Sequence, residues 1–104
     1  MINTINIALS GLYANSKRIE ASASNIANAS TKDYTPVDAK QTPVENGGVK
    51  ADIVPRSAPF DNVDFAEEAV NIKVASNLYK ANIAVIKTTD ALYDDLIDTL
   101  SKKD

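Results

Sequence analysis

Apolar positions recur along two separate stretches at alternating spacings of three and four. Ile2, Ile5, Leu9, Leu12, Ser16, Ile19, Ala23 and Ile26 form the first stripe. Phe65, Ala69, Ile72, Ser76, Tyr79, Ile83, Ile86, Asp90, Tyr93, Ile97 and Leu100 form the second. This rhythm predicts two helices that pack along a seam. The first runs from about Asn3 to Ala29, with Asn3 or Thr4 as its N-cap. The second starts after Asp64, which with Glu67 has capping-box spacing. Glu68 adds favourable charge at the positive end, and Lys102 and Lys103 do so at the negative end. At about 1.5 Å per residue the second helix spans roughly 55 Å against roughly 40 Å for the first, so a paired arrangement leaves an overhang. Leu78, Val85, Leu92 and Leu96 widen the second apolar face beyond what one partner helix covers.

Between the stripes the rhythm stops. Residues 33–62 hold all four prolines, Pro36, Pro43, Pro55 and Pro59. Each biases its predecessor away from helix. Val44-Glu45-Asn46-Gly47-Gly48-Val49 reads as strand, turn, strand, because Asn-Gly favours the left-handed geometry of tight hairpins. Residues 51–54 continue the return strand. Two strands alone are marginal in water, so this middle is either a short β-hairpin or disordered. The run from Ala21 to Ser30 is nearly all Ala, Ser and Asn and makes a weak helix without a partner. Gly11 costs its helix about 1 kcal/mol relative to Ala, which points to close approach of another backbone or to a helix weak in isolation. The fold class is therefore mainly α: two long terminal helices in a coiled-coil-like antiparallel hairpin or an intermolecular bundle.

Composition narrows the chemistry. The chain has 104 residues, no cysteine, no histidine and a net charge of −3. Residues 1–62 balance six basic against six acidic side chains, whereas residues 63–104 carry five Lys against eight Asp/Glu. Neither half has the basic patch that nucleic acid or an anionic membrane surface requires. No apolar run reaches the length of a membrane span, and the N-terminus lacks the pattern of a secretory signal. Without cysteine there is no disulfide or thiolate metal site, and without histidine the commonest general base is missing.

Three features have the residue types of a site. Asp90 interrupts the second stripe and is read as a point where the face turns to solvent rather than as a buried register-setting group. Asp94, Asp95 and Asp98 cluster on the last turns, where a solvated face is a better reading than a cation site, since no Ca²⁺-loop pattern accompanies them. Asn28-Ala29-Ser30 matches a glycosylation acceptor, by chance in so Asn- and Ser-rich a run. No nucleophile–base pair, phosphate loop or metal cluster can be assembled. The sequence reads as no enzyme, with no cofactor and no metal.

One run carries more. Asn25-Ile26-Ala27-Asn28-Ala29-Ser30-Thr31-Lys32-Asp33-Tyr34 resembles the signature of bacterial flagellar rod and hook proteins, in which an S-G-L-x-A helix leads into A-S-N-I-A-N-x-x-T-x-G-Y. Ser10-Gly11-Leu12-Tyr13-Ala14 and Ala23-Ser24-Asn25-Ile26-Ala27-Asn28 match it, with Thr31 and Tyr34 in register. Residues 63–70, Tyr79-Lys80-Ala81-Asn82 and Val85-Ile86-Lys87-Thr88 resemble the family's C-terminal helix. Position 33 is Asp where the family usually has Gly, a substitution that left-handed geometry tolerates. The middle is shorter than in typical proximal rod proteins, so the nearest match is a small rod component.

The resemblance implies a structural subunit of the basal-body rod, divided into a rod-type helix with its signature (1–34), a connector (35–62) and a C-terminal rod-type helix (63–104). Its terminal helices would assemble into an axial tube that transmits torque. Leu9, Leu12, Ile19 and Ile26 would pack against Ile72, Tyr79, Ile83, Ile86 and Tyr93, and Asn82 belongs to the C-terminal motif. Asn25, Asn28, Thr31 and Tyr34 would fix the helix exit and bond across subunits. A charge at Leu12 or Ile86 would then block assembly. Implied partners are other rod proteins, possibly the chain itself, and the flagellar export apparatus, with no nucleic acid and no membrane insertion. The implied location is the periplasmic rod, reached without a cleaved signal. Two rivals are a shortened rod-like binding module that regulates assembly or export from outside, and an enzyme or an accessory to a wall-degrading enzyme, which only the cluster of Asp94, Asp95 and Asp98 could support.

Overall fold

The computed structural model describes residues 2–56 and 63–102. The side chain of Ile2, Pro59 and Lys103, invoked above, lie outside that range. The elements in chain order are α1 (Ile2–Ala27), β1 (Val37–Pro43), β2 (Val49–Pro55) and α2 (Phe65–Ser101). Helix α1 already contains Asn3 and Thr4, so neither caps it. It ends where Asn28 turns its side-chain amide back onto the Ser24 carbonyl at 2.9 Å, a local bond that competes with the helical ladder. The turn then closes through Thr31 N to Asn28 O at 2.9 Å and Tyr34 N to Thr31 O at 3.3 Å. Asp33 occupies the left-handed region at φ 60°, the geometry expected where the family has glycine. Pro36 follows and commits the chain to extended structure.

The middle is an antiparallel hairpin, with register running from Val37 opposite Pro55 to Pro43 opposite Val49. Its loop is residues 44–48, closed by Val44 N to Gly48 O at 3.1 Å and Gly47 N to Val44 O at 3.1 Å. Asn46, Gly47 and Gly48 all have positive φ, which is why this Asn-Gly-Gly run and no β-branched sequence occupies it. Two strands alone lack a core, and α1 supplies the missing surface. Its Ser10 hydroxyl accepts from Val49 N at 3.1 Å, and a Cβ on Gly48 would sit 2.8 Å from that hydroxyl. At the hairpin's other end Asn25 bonds Val37. The 15 residues between Ser10 and Asn25 rise about 22 Å in a helix, close to the ~23 Å of a seven-residue strand. The hairpin is thus pinned to α1 at both ends by matched lengths.

Helix α2 begins at Asp64, whose Oδ1 accepts from Ala66 N at 3.0 Å and Glu67 N at 3.3 Å. It runs antiparallel to α1, with Gly11 facing Asn82 and Asn25 facing Glu68. In that register α1 runs out near Ala91, and residues 91–102 project alone, every one exposed. The molecule is accordingly 70 Å long and 14 Å thin. Its radius of gyration of 18.5 Å exceeds the ~13 Å of a compact chain of this length.

The seam differs from the one the apolar stripes predict. Buried on α1 are Ala8, Ala14, Asn15, Ala21, Ser22 and Asn25, and on α2 Glu68, Ala75 and Thr89. The centre of the contact is small and polar. Leu12, Ile19, Ile26, Ile72, Ile83 and Ile86 are only half-buried at its edges, while Leu9 and Tyr79 are each 37% exposed. Tyr93, expected against the first helix, is 45% exposed and lies on the overhang, beyond the end of α1 in that register. The reason is close packing: small residues let the backbones approach, and that approach turns the larger side chains to the flanks. Asp90 is exposed, as read from the sequence.

Gly11 makes this approach testable. A Cβ there would lie 2.7 Å from Asn82 Nδ2. Gly11→Ala gains about 1 kcal/mol of helix propensity but must push aside the end of the Asn82 side chain, and is expected to stabilise by less than that. Adding Asn82→Ala clears the space, so the double variant is expected to be about 1 kcal/mol more stable than Gly11→Ala alone. Urea denaturation midpoints of the four chains measure this. Additive effects would disprove the close contact.

Candidate functional site

Two arrangements stand out: a buried polar clasp where α1, the hairpin and α2 meet, and an open apolar groove on the opposite flank of the helices. The clasp centres on Asn25, whose side chain is wholly buried. Its Nδ2 donates to Val37 O at 2.8 Å and to Glu68 Oε1 at 3.1 Å. Its Oδ1 accepts from Val37 N at 2.9 Å and from the Tyr34 hydroxyl at 2.9 Å. All four bonds an amide side chain offers are made. The Ser24 hydroxyl lies 3.1 Å from the Tyr34 hydroxyl and donates to it, since the tyrosine proton is already committed.

Charge completes the clasp. Arg56 follows β2 directly, held by its own N donating to Pro36 O at 2.9 Å. Its Nη2 reaches Glu68 Oε1 at 2.6 Å and its Nε reaches Asp38 Oδ1 at 3.0 Å. Burial pulls the Arg56 pKa down, but hydrogen bonds and charge from Glu68 and Asp38 outweigh it and hold the guanidinium above its ordinary value. It stays charged at every relevant pH. Glu68 is 1% exposed, with Oε2 unpartnered among the described residues. A buried carboxylate of this kind is tolerated because Arg56 and Asn25 both donate to it.

The groove lies between the helices on the side away from the hairpin. It is a shallow volume of about 230 Å³ lined by Leu9, Leu12, Tyr13, Ser16 and Tyr79. Tyr13 is 73% exposed. The predicted stripe residues therefore frame an open surface more than they fill an interior one.

The residues singled out from the sequence divide accordingly. Asn25 and Tyr34 meet in the clasp, and Asn28 and Thr31 meet in the turn, with Thr31 Oγ1 donating to Asn28 Oδ1 at 3.2 Å. These bonds run within the chain. The cause is proximity: the turn folds Tyr34 back onto the helix it leaves. Leu9, Leu12 and Tyr79 line the groove, Ile19, Ile26, Ile72, Ile83 and Ile86 flank the seam, Asn82 faces Gly11, and Tyr93 stands apart. Sequence reasoning missed Arg56 and gave Glu68 only a dipole role. One signal was available: Arg56 comes directly after the return strand and Glu68 on the first turn of the next helix, both beside prolines and caps that fix the backbone. Among the described residues, no group of acidic side chains has metal-binding geometry, and no helix is long and apolar enough to cross a membrane.

Removing one partner exposes the clasp's energetics. Arg56→Met leaves Glu68 buried and unpaired and is expected to cost about 3–5 kcal/mol. Arg56→Met combined with Glu68→Leu removes both charges and is expected to recover most of the loss. Asn25→Asp, nearly isosteric, replaces two donors with a carboxylate facing Glu68 and is expected to destabilise more than Asn25→Ala. Chemical denaturation of the four variants checks both statements.

The comparisons agree with this anatomy. The family model described as flagella basal body rod protein matches residues 5–35, which cover most of α1 and the turn. Flagellar basal-body rod protein FlgC of Yersinia enterocolitica is 35% identical over 123 residues, covering 88% of this chain and 92% of that protein. The protein of the same name from Escherichia coli O157:H7 is 32% identical over the same shares. That from Buchnera aphidicola is 32% identical over 134 residues, covering 97% of this chain and 96% of that protein. These spans exceed the 104 residues here, so the relatives carry residues this chain lacks. With similarity along nearly the whole of both chains, and the signature residues Asn25, Thr31 and Tyr34 bonded in the turn they define, this chain belongs to the flagellar basal-body rod protein family.

Proposed function

We infer that the chain is a structural subunit of the flagellar basal-body rod whose terminal helices insert among those of neighbouring rod subunits. The observation that carries this reading is the unpartnered end of α2. Leu92, Tyr93, Leu96, Ile97 and Leu100 are all exposed, between 45% and 60%, on a segment that continues the seam past the end of α1. Burying such side chains is worth roughly 1.5–3 kcal/mol each, so this surface favours association. The hairpin, clasped to α1, stands outside the helical contact as a fixed outward element.

In this reading the segments 1–34 and 63–104 are the assembling parts and 35–62 the connector. Work is mechanical, with torque passed through packed helices and no catalysis. The clasp keeps helix exit and hairpin rigid within each subunit. Delivery through the flagellar export apparatus to the periplasmic rod belongs to the same reading. That the relatives are themselves named as rod proteins favours incorporation over regulation from outside.

A charge at Ile86 tests fold and assembly together, because that side chain is half-buried within the chain. Leu96 and Leu100 separate the two. Leu96→Glu with Leu100→Glu is expected to leave the purified chain as helical as before while abolishing its incorporation into hook–basal bodies and swimming motility. Quantitative mass spectrometry of purified particles measures incorporation. Normal incorporation of this double variant, or absence of the unmodified chain from well-preserved particles, would refute the reading.

A further inference from the structure

We propose that the free edge of β1 takes up an extended acidic segment of a different protein as a third strand, in the trough between the hairpin and α2. This surface is separate from the helix ends that the rod-subunit reading uses. Arg56 N bonds Pro36 O and Val44 N bonds Gly48 O. In the register between them, the even-numbered residues of β1 exchange their bonds with β2. Val37, Ala39 and Gln41 therefore point their backbone N–H and C=O outward. At Val37 both groups are taken. The Asn25 side-chain amide donates to its O at 2.8 Å and accepts from its N at 2.9 Å, the two bonds that a residue of a neighbouring strand would make. Asn25 thus stands in for the first residue of a third strand. Ala39 and Gln41 continue the edge beyond it, and among the described residues no side chain bonds the backbone of either.

The trough gives such a strand room. β1 and α2 both pack on α1 but not on each other. Between them lies a cleft of about 210 Å³, with Val37 and Ala39 on one side, Asn71 on the other and Arg18, Ala21 and Ser22 of α1 as its floor. Ala21 and Ser22 are small and buried, which keeps the floor low. Arg18 is half-buried and in no ion pair among the described residues. The carboxylate that lines the cleft, Asp38, is already held by Arg56 at 3.0 Å. Lys40, exposed on β1, is likewise unpaired among the described residues.

Charge then selects the occupant. Side chains alternate across a strand. A residue paired with Ala39 turns its side chain the same way as Ala39, into the cleft where Arg18 lies. The next residue, beside Lys40, turns outward with it. Two consecutive acidic residues therefore meet both cations. A second copy of this chain fits badly. The antiparallel register that uses both open residues of each copy pairs Ala39 with Gln41 and sets Lys40 against Lys40. Like charges directly opposite destabilise a sheet. Pro43, which has no N–H, ends the edge. An edge lysine and a proline are common guards against self-pairing, and here they leave the edge open to an acidic strand.

The probe is the acetylated peptide Thr-Val-Glu-Glu-Val-Thr, beside a counterpart with glutamine in place of both glutamates. Each is titrated into the full chain while amide hydrogen exchange is followed by NMR. The acidic peptide is expected to slow exchange at Ala39 and Gln41 about tenfold. Ala51 and Ile53, on the free edge of β2, are expected to stay unchanged. The glutamine peptide is expected to bind about tenfold more weakly, and Arg18→Gln with Lys40→Gln to remove that difference. Gln41→Pro keeps the bonds between β1 and β2, because that residue donates outward, and is expected to abolish the slowing at Ala39. Circular dichroism verifies that each variant keeps its secondary structure. Unchanged exchange at Ala39 and Gln41 in millimolar acidic peptide, equal affinity for the two peptides, or equal slowing at Ala51 and Ile53 would each overturn the proposal. So would slowing at Ala39 and Gln41 that appears without peptide as the chain is concentrated, since the occupant would then be a second copy.

Discussion

A single amide organises the middle of this molecule. Asn25 is buried where helix, strand and second helix meet, and all its hydrogen-bonding capacity is spent on holding them. Two of its bonds go to the backbone of Val37, fixing where β1 starts relative to α1. One goes to Tyr34 and fixes the turn, and one goes to Glu68 and fixes the start of α2. A buried polar group left without partners costs more than a satisfied one contributes. The cluster therefore specifies one arrangement: a one-residue slip of the hairpin would strand the Asn25 amide, and with it the Glu68–Arg56 pair. Asp cannot replace Asn here, because the site requires two donors and two acceptors on one small planar group.

Once the clasp sets the register, the nature of the helix contact follows. Gly11 lets α1 close on Asn82 of α2, the buried positions of α1 are all small or polar, and little apolar area is buried at the centre. Larger side chains are turned to the flanks, where Leu9, Leu12 and Tyr79 leave a trough and the end of α2 continues without a partner. An isolated folded domain gains nothing from that distribution. A subunit of an assembly does, because the apolar surface not used within the chain is available between chains. The division is consistent with a fold stabilised locally by polar specificity and completed by its neighbours.

Much of the architecture is legible in the sequence. The three-and-four spacing requires helices at both ends, because only that period places the apolar residues on one side. Asn46-Gly47-Gly48 requires a turn, because few other residues adopt positive φ without strain. Asp64 caps α2 because its carboxylate reaches two orphan amides. Asp33 occupies a left-handed turn position, as its place in the signature implies. The overhang follows from helix lengths alone. The apolar stripes were legible as surfaces but not as a seam, since periodicity gives the width of a face and not what lies against it. The clasp was half legible: Asn25 and Tyr34 stand out in the signature, whereas Glu68 looks like any acidic residue on a first helical turn.

The sequence by itself therefore determined both helices, the start of α2 at Asp64, the position of the hairpin turn and the family, because these depend on residues near one another along the chain. Tertiary structure alone decided that the hairpin folds onto α1, that Glu68 is buried against Arg56, and that the large apolar side chains face outward. Each of these depends on groups brought together from distant positions. Glu68 and Asn25 are 43 residues apart, and no local preference carries information over that distance. Burial changes the chemistry of such a pair, since a carboxylate that is ordinary in water must be paired when water is removed.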